Sequence, residues 1–481
     1  MHGLVSAPRA RIAAMLGGGG LVPSFDLNFA RGDNAVTKYG FTFTRATAAT
    51  YVNASGNIAT AASGELRYTY DPVTLSALGV LIEGARTNLL LNTDTLSTQS
   101  VTVTAVAHTL SFYGTGTVTL SGASTAGPLT GSGAYPTRST LTFTPTAGSL
   151  TLTVTGSVRY ANLEVGSFAT SWIPTTGTAA TRNADVLSLT GAAGRTNLIV
   201  GSAAPITQNV TVTAVPYTLS QTGSGTITLS GASTAGPLVG AGSLTFTPSA
   251  GTLTLTMSGS PAEVQLETGS TATTYIPTTS GPRTVENVAS WFNGDAGTMY
   301  AEYLSNGVTS QTSNVFAFYD IGASGTNRIL LYHSTAGKAQ TQIDSQSSAQ
   351  MTSSSSMTAV TTAGTRIRAA LAYAKDDGAI SAQGASATAD TSLILPVGMY
   401  QCGIGRSNYA TALFNGTISR IRYYNSRIPD DDLLLLSNGV DLSTPLKGGR
   451  ARKRLVYIVK QDDDLDSLIE SLSQESVRDY L

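Results

Sequence analysis

Two glutamates and two aromatic residues recur at matched places in this chain, and they are the first candidates for chemistry. Glu164 follows Leu163 and Glu267 follows Leu266, each just ahead of a glycine turn, while Trp172 and Tyr275 each stand immediately before an IPTT string. A fixed carboxylate could serve glycoside cleavage, but that reaction needs a second carboxyl about 5–10 Å away. Neither stretch offers a paired acid, so Glu164 and Glu267 read as structural hydrogen-bonding groups at strand ends. Arg86 and Arg195, each opening an RTNL string, are candidates to pair with them. An aromatic face can stack on a sugar ring, but one placed before IPTT more often closes a sandwich core. No residue is expected to be catalytic.

Metal and phosphate chemistry find little support. The histidines His2, His108 and His333 and the single Cys402 are far apart in sequence, which argues against a His/Cys zinc site. There is no Asp-x-Asp-x-Asp-Gly loop, and the glycines from Gly17 to Gly20 lack the strand and Lys-Ser/Thr of a phosphate cradle. No metal and no cofactor is expected. The formal net charge of −1 gives no electrostatic case for nucleic acid. No apolar run approaches the ~18 residues of a membrane helix, so no membrane insertion is expected. Arginines interrupt the apolar N-terminal stretch, unlike a signal peptide, so folding in a cytoplasm is expected.

The elements that must position these residues are legible as repeats. "TQSVTVTAVAHTLS" at Thr98 returns as "TQNVTVTAVPYTLS" at Thr207, a register of 207 − 98 = 109 residues. The register falls to 244 − 141 = 103 after the turn AYPTRST of copy one, so copy two has lost six residues there. Loss at a turn with strands intact is what a surface loop permits. Charged residues are 12% of the 481, about half the roughly 25% usual in soluble domains, and hydrophobic residues are 41%. Threonine alternating with Val, Leu or Ile predicts short strands, among them Val101/Val103, Leu110/Phe112, Val118/Leu120 and Leu150/Leu152. Their spacing of about 8–12 residues predicts antiparallel sandwiches or barrels. The chain reads as all-β with short terminal helices. It divides into an arm (1–23), a small β-module (24–85), repeat one (86–185), repeat two (186–284), a further sandwich (285–440) and a tail (441–481). Ser345 to Thr358 reads as a polar loop, and Asp430 to Asp432 as the cap of a short helix. In the tail, Leu465, Leu468, Ile469 and Leu472 share one helical face.

"FTFTRATAATYVNASGNIATAASGELRYTYDP…GVLIEGARTNLL" resembles the opening module of bacteriophage tail and appendage proteins. "NLEVGSFATSWIPTTGTAATRNADV" resembles the closing strand of the carbohydrate-binding-like jelly rolls that follow it there, with a thinner version in copy two. "TRIRAALAYAKDDGAISAQG" and "LFNGTISRIRYYNSRIPDDDL" are similar to a concanavalin-A/laminin-G-like sandwich. The resemblance implies tandem jelly-roll sandwiches on a virion. Lectin-like sandwiches bind through rim loops, which makes Trp291, Tyr332, Tyr400 and Tyr409 the sugar-contact candidates. Related sandwiches sometimes hold calcium near strand ends, where Asp320, Asn327, Asp376 and Asp377 fall, although nothing else supports calcium here.

Three functions stay open. The first is a bacteriophage fibre, spike or appendage protein that meets a host cell-surface glycan. It would dock on other virion proteins (capsid, portal, neck or baseplate) through Arg9, Arg11, Arg450, Arg452, Lys453, Arg454 and the tail helix, as a homotrimer. The second is a capsid or baseplate decoration protein without sugar binding. The third, a surface depolymerase, lacks paired acids and long β-helical repeats.

Overall fold

Alternating threonine and aliphatic residues give each strand one apolar face and one hydroxyl face, and the copied tracts fold on that rule. In strand Thr117–Gly122, Val118 and Leu120 are buried while Thr119 and Ser121 face out. Burying each such side chain contributes about 1.5–3 kcal/mol. The computed structural model describes residues 21–443, apart from 192–194, 271, 273–274, 277, 286–287, 306–311, 321–326, 361, 386, 397–398 and 408–412. The arm helix, the tail helix and the docking residues Arg9, Arg11, Arg450, Arg452, Lys453, Arg454, Leu465, Leu468, Ile469 and Leu472 lie outside the described residues, as does Tyr409. Among those described the fold is all-β, with two short α-helices at Ala35–Tyr39 and Asp430–Ser437.

Copy one is a sandwich of two antiparallel sheets. One runs Leu129–Thr130, Thr117–Gly122, Gly148–Thr155, Gln99–Val103; the other runs Gly133–Phe143, His108–Gly114, Arg159–Val165. Leu110, Phe112, Leu150, Leu152 and Leu163 fill the space between them. Copy two, in a separate compact unit, repeats both sheets around Leu219, Ile227, Leu253, Leu255 and Leu266. Each copy begins and ends in a two-stranded ladder: Arg86–Asn88 against Ala180–Arg182, and Arg195–Asn197 against Arg283–Val285.

Most of the remaining strands form a larger sandwich that draws on both ends of the described chain. Its eight-stranded sheet runs Thr388–Asp390, Asp377–Ala382, Arg366–Ala374, Ala296–Ser305, Gly416–Tyr424, Ala77–Ile82, Tyr68–Tyr70, with Phe25–Asn28 also on Gly416–Tyr424. Its seven-stranded sheet runs Thr42–Thr44, Val186–Thr190, Gln401–Ile404, Ser313–Tyr319, Arg328–His333, Ala339–Ser345, Ser348–Ser354. Three expectations are corrected by this pairing. Residues 24–85 are not a separate module: Phe25–Asn28, Tyr68–Tyr70 and Ala77–Ile82 join the eight-stranded sheet and Thr42–Thr44 the seven-stranded one, while Ala49–Val52 and Ile58–Ala61 pair with each other as a hairpin. Repeat two does not begin at 186, because Val186–Thr190 belongs to the seven-stranded sheet. The serine-rich stretch 345–358 is not a loop: Ser348–Ser354 is an edge strand, folded back through Gln346 and Ser347, which both take positive φ.

Helix Asp430–Ser437 buries Leu433, Leu434, Leu435 and Leu436 against Tyr300, Ala370, Ala372 and Tyr424. Its N-cap is Pro429 with no side-chain cap bond, so the aspartates occupy the first turn rather than capping it. Acidic groups there still complement the helix dipole. The Leu21 amide donates to the Leu442 carbonyl at 2.7 Å, so the described chain starts and finishes at one place.

Candidate functional site

In copy one the three-stranded sheet turns one face to the core; its other face carries Ser111, Tyr113, Arg138, Asn162 and Glu164. Segment 168–173 folds across part of that face. The Glu164 carboxylate accepts from the Thr170 amide (2.8 Å) and hydroxyl (2.7 Å). Beyond this cover the face opens into a pocket of about 210 Å³ walled by Tyr51, Tyr113, Arg138, Thr170 and Trp172, with Glu83 at its base. That is below the roughly 300–1,000 Å³ of sites that enclose drug-sized ligands, and suits a single small ring. Rings outside the lining back the wall: Tyr160 lies 6.3 Å from Tyr113 and 4.7 Å from Trp172 and bridges the two, and Tyr135 lies 5.2 Å from Tyr113.

The wall is held from behind. The Tyr135 hydroxyl donates to the Gly56 carbonyl at 2.6 Å, tying copy one to the NASGN turn. The Thr50 hydroxyl donates to the Trp172 carbonyl, and the Trp172 indole N–H to Thr93 at 3.2 Å. Beneath lies a buried charge network. Arg67 and Arg182 reach Glu83 at 2.8 and 3.0 Å, Arg45 reaches Asp185 at 2.9 Å, and Arg67 bridges to Asp185 as well. Burial alone would push the Glu83 carboxyl up; Arg182, Arg67 and two hydrogen bonds from Ser171 outweigh it and hold it down at about 2. An acid so firmly ionised cannot deliver a proton to a leaving group at neutral pH.

The two copies serve as controls for each other. Gly131 and Gly240 are equivalent (240 − 131 = 109), and so are Ser139 and Gly242 (242 − 139 = 103), so the six residues absent from copy two are 133–138. They include Tyr135 and Arg138. At the equivalent of Tyr113 copy two has Thr222, and at that of Tyr160 it has Glu263, with the same φ of 49°. Copy two keeps the sandwich and, of the aromatic residues, only Tyr275 at the place of Trp172.

The remaining candidates fall elsewhere. Arg86 Nε lies 3.8 Å from Glu164 while its guanidinium covers the Phe168 ring. Glu267 accepts from Gln265 at 2.8 Å, and the Tyr275 hydroxyl meets Ser202 at 2.7 Å. Arg195 lies on its ladder strand. Trp172, half-exposed, belongs to the pocket wall rather than closing a core. Trp291 and Tyr332 are not rim residues. Trp291 stacks on Phe25 at 4.3 Å beside Phe318 and Tyr423, and Tyr332 is buried with Tyr319 and Leu330. Tyr400 is half-buried in the unit of copy two, its carbonyl accepting from Gly191. Asp377 pairs with Arg427 at 2.8 Å, and Asp320 accepts from Asn327. Among the described residues no group of three His, Cys, Asp or Glu is placed to hold a metal, and no helix is long and apolar enough to cross a membrane.

The residues that explain the repeat's text are Asn88 and Asn197. Asn88 donates to the carbonyls of Ala161 (2.9 Å) and Ile173 (2.8 Å) and accepts from Leu163 (3.0 Å). Asn197 does the same with Val264, Ile276 and Leu266. RTNL and IPTT recur together because this amide joins them.

No protein-family model matches the chain, and no curated protein matches it. Solved structures give partial likenesses. The CBM40 of the Ruminococcus gnavus IT-sialidase, bound to α2,3 sialyllactose, is 14% identical over 30% of this chain and 83% of that one, with a TM-score of 0.27. NanB sialidase from Streptococcus pneumoniae is 15% identical over 33% of this chain and 26% of its own (TM-score 0.27). Trypanosoma rangeli sialidase is 18% identical over 30% and 23% (TM-score 0.24). This chain thus spans about a quarter of those two sialidases. Likeness at this level carries nothing about ligand or activity.

Proposed function

We propose that this chain is an adhesion protein of a bacteriophage virion, a fibre, spike or related appendage, whose first jelly roll holds a saccharide ring of the host surface. The observation that carries the saccharide reading is the pocket walled by Tyr51, Tyr113 and Trp172. Flat apolar faces suit the C–H faces of a pyranose, and the polar groups between them suit its hydroxyls. Recognition rather than cleavage is assigned because Glu83, Asp185 and Glu164 are all held by cations or hydrogen bonds. The virion placement is supported by the text of residues 41–90 and 162–186 and by threonine faces in place of charge. In this reading the segments before residue 21 and after 443 dock on other virion proteins and form a homotrimer, starting from the single place where Leu21 meets Leu442.

The full chain on a glycan array tests the binding step. Binding that Trp172→Ala and Tyr113→Ala each abolish supports it. No glycan binding, with tight association to purified capsids, would replace it with the decoration reading. Sedimentation before and after removal of 444–481 tests the trimer, which should fall to monomer.

A further inference from the structure

Resting on that saccharide reading, we infer that the pocket of copy one selects a carboxylate-bearing sugar through Arg138. Among the described residues Arg138 is the only cation lining the pocket. Its neighbours Arg67, Arg159 and Arg182 each have an acid, at 2.8, 2.9 and 3.0 Å. Among the described residues Arg138 has none. Its two terminal nitrogens donate instead to neutral acceptors, the Thr170 carbonyl at 2.6 Å and the Ser111 hydroxyl at 2.7 Å.

Those two bonds fix the guanidinium without neutralising it. One N–H remains on each terminal nitrogen to donate to a carboxylate, and the buried Nε has no partner among the described residues. The guanidinium also lies over the Tyr113 ring, 5.8 Å from its centroid, so the cation and the stacking surface meet at one corner of the pocket. The one acid in the lining, Glu83, is matched by Arg67 and Arg182 and does not offset Arg138. A half-buried positive charge thus faces a small, aromatic-walled space in a chain where charge is scarce. Copy two supplies the contrast: with residues 133–138 absent it has no counterpart of Arg138 and keeps only Tyr275 of the aromatic residues, and its sandwich stands without the rest. The arginine therefore belongs to the pocket, not to the fold.

The test uses the full chain and paired probes: oligosaccharides containing hexuronic acid, and the same oligosaccharides after reduction of the carboxyl to a primary alcohol. A charge-assisted bond predicts about ten- to a hundredfold tighter binding of the acid form. That preference should weaken as salt is raised and vanish in Arg138→Gln, which should bind both forms as the wild type binds the reduced one. Arg138→Lys, keeping charge without the paired nitrogens, should fall between. Equal binding of both forms by the wild type overturns the inference while the saccharide reading stands. A preference that survives Arg138→Gln overturns it too, by placing the acid elsewhere. Failure of the wild type to bind any saccharide, acidic or neutral, overturns both. The reduced-sugar comparison needs no variant, so it decides even if Arg138→Gln loosens segment 168–173.

Discussion

Glu83→Gln removes one charge from beneath the pocket and keeps the side-chain shape. With a folded value of about 2 against 4.5 for a free glutamate, the gap is about 2.5 units, or about 3 kcal/mol at 1.36 kcal/mol per unit. The carboxyl is depressed on folding, so this stability is fully present above pH 4.5. It drains away as pH falls from 4.5 toward 2. The variant should therefore be about 3 kcal/mol less stable at pH 7, at the low end of the 3–5 kcal/mol typical of a broken buried pair. The low end fits because Arg67 keeps Asp185 and Arg182 keeps the Gly84 carbonyl at 2.6 Å. The gap should close as pH approaches 2. His333, whose ring burial holds down at about 4, affects both proteins alike and cancels. The chain has only two tryptophans, so 5-fluorotryptophan gives one fluorine signal beside the network and one from the larger sandwich. Urea unfolding read from the Trp172 signal at pH 7 and pH 2.5 measures the difference. A variant within about 0.5 kcal/mol of wild type at pH 7, or a gap independent of pH, would refute the reasoning.

Asn88→Ala should lower the stability of copy one by about 3 kcal/mol, since it strands buried carbonyls at Ala161 and Ile173, and Asn197→Ala should do the same to copy two. Urea transitions of the two variants check this. Deleting 133–138 should leave a folded chain with near-wild-type circular dichroism and no glycan binding, because copy two is that sandwich without the insert. Deleting 195–285 should leave the rest of the chain folded, since Arg195 and Val285 are paired neighbours at the base of copy two. Calorimetry should show one transition lost and the others unmoved.

The strands were legible because a half-buried strand needs only period two, and Val118/Leu120 and Leu150/Leu152 supply it. Their partners were not. Phe25–Asn28 pairs with Gly416–Tyr424 across almost the whole chain, and nothing local in either strand encodes that choice. Assuming that neighbours in sequence pair in space made 24–85 look self-contained. The stretch around Met351 looked like a loop because an edge strand facing water needs only one or two buried residues, and serine meets the rest of the pattern. Trp291 looked like a rim residue because its stacking partner, Phe25, comes from the other end of the chain. The pocket was missed for a related reason: Tyr51, Tyr113, Arg138 and Trp172 are scattered singly. The signal lay in what the copies do not share, since the six residues lost from copy two are those that bring Tyr135 and Arg138.

The ladder at the base of copy one sets how a pull on its pocket would be borne. The strand leading in continues from Ala77–Ile82, inside the eight-stranded sheet, and the strand leading out continues into Val186–Thr190, inside the seven-stranded one. Tension on a captured ligand therefore splits between two covalent tethers and enters opposite layers at once. Neither layer can be peeled first, because each tether is flanked by strands on both sides. A pull on copy one strains both sheets together, a sturdier mooring than a single linker between beads on a string.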